Sequence, residues 1–133
     1  MATKKPKLIA VDDEPDMLDF VLRALRESYH VTACRTAEEA LGHLEKQEFD
    51  VLLTDQQMPG INGIDLLDRL SAVAPNMVKV LMSGFADVSE MHRLVRDCGI
   101  HGVVVKPIDS QTLLAAIERA YEVKGGQPFE PPE

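Results

Sequence analysis

The stretch "KLIAVDDEPDMLDFVLRAL", residues 7–25, contains the repeating unit from which the whole chain is built. It opens with a short run whose core is apolar on both faces, the pattern of a strand in a doubly covered parallel sheet. It closes with Met17, Leu18, Val21, Leu22 and Leu25 at helical spacing. Pro15 stands where a first helical residue belongs, a position that suits its missing N–H. Between strand and helix come Asp12, Asp13 and Glu14, with Asp16 just past the proline. Two unit charges about 4 Å apart repel by roughly 1 kcal/mol in water, and by more where water is partly excluded. Either these side chains splay into solvent, or something positive belongs among them.

The same unit recurs along the chain. "YHVTAC" (29–34), "FDVLLT" (49–54), "MVKVLMS" (77–83) and "HGVVVK" (101–106) are short and rich in Val, Leu and Ile. The third and fifth strands, like the first, are apolar on both faces. A second helix opens on a capping box, Thr36 followed three residues later by Glu39. "GIDLLDRLSAVA" supplies a third helix, stopped by Pro75. "DVSEMHRLVRDC" is a fourth, with Gly99 placed as its C-terminal cap. "DSQTLLAAIERAYEV" is a fifth, with Asp109 as N-cap and Gly125–Gly126 after its end. Five strand–helix units predict an α/β fold wound right-handed around a parallel sheet. The expected domain spans residues 1–124, and the Gly/Pro-rich residues 125–133 read as a linker or frayed end.

The 133 residues suit one domain with a real hydrophobic core. A net charge of −8 disfavours direct binding to nucleic acid or to an anionic membrane. The short basic run Lys4, Lys5 and Lys7 reads as a solubilising lead-in. No apolar stretch approaches the roughly 20 residues that span a bilayer, and no signal peptide is evident, so a cytoplasmic location is expected. Cys34 and Cys98 are expected to be free thiols. His30, His43, His92 and His101 lack paired metal-ligand spacing and read as surface or packing residues.

In an open α/β sheet, the binding crevice lies at the carboxyl ends of the strands. Asp12 and Asp13 follow the first strand, Asp55 the third, Ser83 ends the fourth and Lys106 the fifth. Taken singly, each has a plain explanation: a turn-forming Asp, a solvated Lys, a Ser before Gly. Together they put three acids, a hydroxyl and an amine on one edge. Three carboxylates match a hard divalent cation with oxygen ligands, such as Mg²⁺ (or Mn²⁺), and such an ion would relieve the repulsion among the acids. A carboxylate beside it, with Lys106 opposite, is equipped to accept a phosphoryl group.

Four motifs, "VDDEPD", "TDQQMPGING", "MSG" and "VKP", occur in an order and spacing that resemble the receiver domain of two-component response regulators. The resemblance covers essentially residues 7 to 123. It implies a flavodoxin-like three-layer (βα)5 sandwich with strand order 2-1-3-4-5. It also implies that Asp55 is the phosphoacceptor, and that Asp13 and Asp55 bind the metal with the backbone carbonyl of Gln57, Asp12 acting through water. Lys106 would pair with Asp55 or its phosphate, Ser83 would be the switch hydroxyl, and the Lys106–Pro107 bond would be cis. The implied partner is a sensor histidine kinase or phosphotransfer protein, and the output either a C-terminal domain or a downstream protein. The oligomeric state stays open. Two further expectations follow. Gln57 would sit over the phosphate and tune its lifetime. Val103 occupies a switch position where many family members carry Tyr or Phe, with Phe85 the nearest aromatic in sequence.

Other readings stand beside this one. A receiver-like scaffold that is never phosphorylated needs none of this chemistry. A Mg²⁺-dependent phosphohydrolase of the haloacid-dehalogenase type would need two acids separated by one residue on the same loop, and here the acids are adjacent. A flavodoxin-like nucleotide or flavin binder would need hydroxyls and glycines where "DDEPD" would repel a phosphate, and "GxxxxGK" is absent.

Overall fold

The computed structural model describes residues 5–84, 88–129 and 131. Five strands, β1 (Lys7–Val11), β2 (His30–Cys34), β3 (Val51–Asp55), β4 (Val78–Ser83) and β5 (Gly102–Val105), alternate with five helices. The helices are α1 (Pro15–Leu25), α2 (Ala37–Lys46), α3 (Gly63–Val73), α4 (Val88–Cys98) and α5 (Ser110–Lys124). All strand pairs are parallel, in the order β2-β1-β3-β4-β5. The expected fold and strand order are therefore found.

Alternation along the strands sorts the core into two layers. Leu8, Ala10, Leu53, Val80, Met82 and Val104 pack with Leu18, Val21 and Leu25 of α1 and Leu113 and Ile117 of α5. Ile9, Val11, Leu52, Leu81 and Val103 face the other way, onto Ala40 of α2, Leu66 and Leu70 of α3, and Met91 and Leu94 of α4. Fully burying a side chain of this size contributes about 1.5–3 kcal/mol, so both helical layers are held firmly on the sheet. The edge strand β2 is half-exposed, whereas β4 is buried along its whole length. That includes Lys79, a charged residue that kept β4 out of the doubly apolar strands in the sequence. Burial lowers the pKa of its ammonium.

Helix starts follow local chemistry. Thr36 Oγ1 accepts the Glu39 N–H at 3.1 Å and Asp109 Oδ1 accepts the Thr112 N–H at 2.7 Å. The return bond of the expected capping box lands one residue early, because Glu39 Oε2 accepts from the Arg35 N–H rather than that of Thr36. Asn62, which carried no assignment from the sequence, caps α3 by accepting the Asp65 N–H at 2.9 Å. Gly99, just past α4, has φ +67°, a conformation that favours glycine at a helix end. Cys34 and Cys98 are free and buried. No described helix is long and apolar enough to cross a membrane.

Beyond α5 the chain turns back on the domain. The Gln127 N–H donates to Glu122 O at 3.0 Å, and Arg119 Nη2 donates to Pro128 O at 3.3 Å. The Phe129 ring stands edge-on to His92 of α4, with centroids 5.8 Å apart. Residues 127–129 thus lie along α5 and reach α4, contacts that their Gly/Pro-rich composition did not suggest.

At the amino end of the sheet, His101 bridges β4 and β5. Its Nδ1 accepts the Lys79 N–H at 3.0 Å, and its own N–H donates to Lys79 O at 2.8 Å. Burial, with the positive charges of Lys79 and Lys124, lowers its pKa from 6.5 to about 4. The unfolded chain therefore takes up this proton first, and the native state loses stability as pH falls from 6.5 toward 4. In urea titrations across that window, the wild-type midpoint is expected to fall further than that of His101→Asn. Parallel midpoints would exclude the coupling.

Candidate functional site

The register of the sheet assembles the site. Val11 lies opposite Thr54, Asp55 opposite Met82, and Ser83 opposite Val105. The ladder continues one rung past β1 and β5: the Asp12 N–H donates to Cys34 O at 3.0 Å and the Lys106 N–H to Ser83 O at 2.8 Å. Four strands therefore end level, and Asp12, Asp55, Ser83 and Lys106 emerge side by side.

Asp12 is fully buried and Asp55 is 6% exposed, while Asp13 is half-buried. Each offers a carboxylate oxygen, and these oxygens lie within 4.8 Å of one another. Lys106 Nζ sits 3.0 Å from Asp55 Oδ1 and 3.5 Å from Asp12 Oδ2. This is the positive group that the crowded acids required, although one ammonium does not balance three carboxylates. Asp12 Oδ1 also accepts the Glu14 N–H at 2.9 Å, which holds the turn into α1.

Burial raises the pKa of Asp55, and the charge of Asp12 adds to it, against the opposing pull of Lys106. For Lys106 burial is the largest single influence and acts downward, yet the hydrogen bond to Asp55 and the charges of Asp12 and Asp55 together raise its pKa. The site thus holds an excess of negative charge that a small cation would relieve. Three clustered hard oxygen donors suit Mg²⁺.

Asp13, Asp55 and Lys106 border a cavity of about 670 Å³, also lined by Gln57, Ser83 and Glu90. Gln57 is exposed in the loop after β3. Val103 is buried and adjoins a cavity of only about 10 Å³ between β4, β5 and α4. The Lys106–Pro107 bond is cis. Phe85 lies outside the described residues.

Three participants escaped sequence reasoning. Ser83 Oγ donates to Gln56 Oε1 at 2.7 Å, and Gln56 Nε2 donates to Glu90 Oε1 at 3.2 Å. Gln56 adjoins Asp55 in sequence, but nothing local marks Glu90 on α4. The third is Gly63, whose N–H donates to Gln56 O at 3.0 Å. A Cβ built on Gly63 would overlap the Asp55 carbonyl oxygen. Its small size lets the start of α3 lie directly on the backbone of Asp55.

A second cluster joins the end of β2 to α2. Cys34, Glu39 and His43 also offer ligand atoms within 4.8 Å of one another, so His43 has neighbours that the sequence reading did not give it. The only sequence signal was the i, i+4 spacing of Glu39 and His43, which puts both on one helix face. Burial, then Glu39, pushes the Cys34 thiol up to about 12, so it is a protonated core group.

Comparison with known proteins agrees with the geometry. Residues 8–118 match the family described as "Response regulator receiver domain". The chain is 32% identical over 127 residues to the hydrogenase transcriptional regulatory protein HoxA of Cupriavidus necator, a match covering 96% of this chain and 26% of HoxA. It is also 32% identical over 124 residues to chemotaxis protein CheY-3 of Vibrio cholerae, covering 90% of this chain and 94% of that protein. The crystal structure of a CheY-like response regulator receiver domain protein from Methanospirillum hungatei superposes with a TM-score of 0.82 at 27% identity, covering 92% of this chain and 98% of that one. The chain spans only about a quarter of the length of HoxA and of several other transcriptional regulators it matches.

Gly63→Ala is expected to lower stability by about 1–3 kcal/mol through overpacking against the Asp55 backbone, as read from urea denaturation. An unchanged midpoint would mean that the loop relaxes freely.

Proposed function

The chain belongs to the response regulator receiver domain family, and from that premise we propose that it relays a signal by accepting a phosphoryl group on Asp55. The observation that carries this reading is the Lys106 ammonium held between Asp55 and Asp12 at the carboxyl edge of the sheet. The donor is a phosphohistidine on a sensor histidine kinase or a phosphotransfer protein. A carboxylate oxygen of Asp55 attacks phosphorus, the P–N bond breaks, and the imidazole departs with the electron pair. An acyl phosphate remains on Asp55.

Each neighbour has a role in that transfer. Lys106 already hydrogen-bonds Asp55 and lies within reach of a phosphoryl oxygen there, where its charge offsets the charge on the transferring group. Asp12, Asp13 and Asp55, with the backbone carbonyl of Gln57, would hold Mg²⁺ (or Mn²⁺). When bound, the ion would supply positive charge that offsets charge on the transferring group. Ser83 would donate a hydrogen bond from its hydroxyl to a phosphoryl oxygen. Transfer and later hydrolysis proceed on the chain's own residues, without a turnover substrate. The output is an attached effector domain or a downstream protein that reads the altered surface, in keeping with the longer regulators that share this domain.

Incubation with acetyl phosphate and Mg²⁺, followed by intact-mass measurement, is expected to show one added phosphoryl group that is absent in Asp55→Asn. No added mass in the wild type would leave the scaffold reading in its place. Gln57 is exposed beside the site, where it governs the approach of water. Smaller and acidic replacements at Gln57 are expected to change the dephosphorylation rate, followed by loss of the added mass with time. Identical decay in every variant would remove this role.

A further inference from the structure

Building on the reading of Asp55 as phosphoacceptor, we propose that Gln56 is the positioning residue that carries the state of Asp55 to α4, through its hydrogen bonds with Ser83 and Glu90. The two bonds fix the orientation of the amide. The Gln56 NH₂ donates to a Glu90 carboxylate oxygen, and this leaves Oε1 to accept from the Ser83 hydroxyl. Gln56 is held at its backbone as well: its N–H donates to Met82 O at 2.9 Å and its carbonyl accepts from the Gly63 N–H at 3.0 Å. Between those anchors, its side chain is the element able to turn.

The trigger is a competition for one proton. A serine hydroxyl has a single hydrogen to donate. In this structure it goes to a neutral amide oxygen at 2.7 Å. A phosphoryl group on Asp55 would present charged oxygens to the same hydroxyl, and charge-assisted hydrogen bonds are roughly twice as strong as neutral ones. Ser83 therefore turns to the phosphoryl group, and Gln56 Oε1 loses its donor. An amide oxygen left unpaired in a half-buried site is unfavourable, so the amide rotates to find another. Rotation breaks or redirects the bond to Glu90, which lies in the first turn of α4.

Packing favours this route. The space beside Gln56 that Leu81, Met91, Leu94 and Val103 border is about 10 Å³, too small to receive another side chain. Val103 is short and stiff at χ1 and makes no large swing of its own. Among the described residues at the junction of β3, β4 and α4, the hydrogen-bonded amide of Gln56 is a group that can change.

The test is by ¹⁵N–¹H spectra of the whole chain with Mg²⁺ and beryllofluoride at saturating concentration. The Asp13 and Lys106 amides report the pocket, and residues 89–98 report α4. In wild type both sets are expected to shift. In Gln56→Met and in Glu90→Ala the pocket amides shift while the α4 shifts fall by more than half. Glu90→Gln, which keeps an oxygen acceptor, retains most of the α4 response. A full-size α4 response in either Gln56→Met or Glu90→Ala would overturn the proposal. So would a loss in Glu90→Gln equal to that in Glu90→Ala, since it would assign the effect to charge rather than to the hydrogen bond. Absence of pocket shifts in wild type would remove the phosphoacceptor reading itself, an outcome separate from loss of α4 shifts alone.

Discussion

Lys106 reaches from the end of β5 to two buried carboxylates, at 3.0 Å from Asp55 and 3.5 Å from Asp12, and the character of the site follows from that contact. Buried carboxylates are costly to hold ionised unless they are paired and hydrogen-bonded. One ammonium supplies part of that compensation and leaves an excess of negative charge shared with Asp13. The direction of the Asp55 shift states the balance: burial, aided by Asp12, outweighs the help from Lys106. A site in this condition is complementary to positive charge.

The scaffold maintains that condition through backbone geometry. Parallel strands in level register bring four chain segments to one edge without any side chain having to reach far. Gly63 allows the start of α3 to press on the Asp55 carbonyl, and Asn62 closes the first turn of that helix. The opposite end of the sheet is also polar but differently used. There His101 satisfies both the N–H and the carbonyl of Lys79, a neutral structural bridge at a point where the strands begin. The cluster of Asp12, Asp13, Asp55 and Lys106 lies at the carboxyl end.

Communication away from Asp55 is a matter of which groups have an alternative partner. Apolar contacts in the two core layers are close-packed and change little by small steps. The Ser83–Gln56–Glu90 chain is different in kind, because it is held by directional hydrogen bonds between polar side chains. Val103 is small and buried, and the proposed route runs through the polar side chain of Gln56 instead.

Much of this was legible in residue order. Helical spacing, Pro15 at the start of α1, Thr36 and Asp109 as caps and Gly99 as a stop are local signals, read over a few neighbouring residues. The strand-end acids, Ser83 and Lys106 were legible for a related reason: once the strands are recognised, the topology of a parallel sheet brings their ends together. What sequence could not disclose depends on contacts between distant segments. Gln56 meets Ser83 across 27 positions and Glu90 across 34. The closeness of Gly63 to the Asp55 carbonyl, the burial of Lys79 and the return of Phe129 to His92 likewise arise from packing. Sequence alone determined which elements form and which chemical groups end them, because both follow from short-range periodicity. Tertiary structure alone decided which of those groups share a proton, a charge or a surface, because distance between side chains is set by how the layers pack.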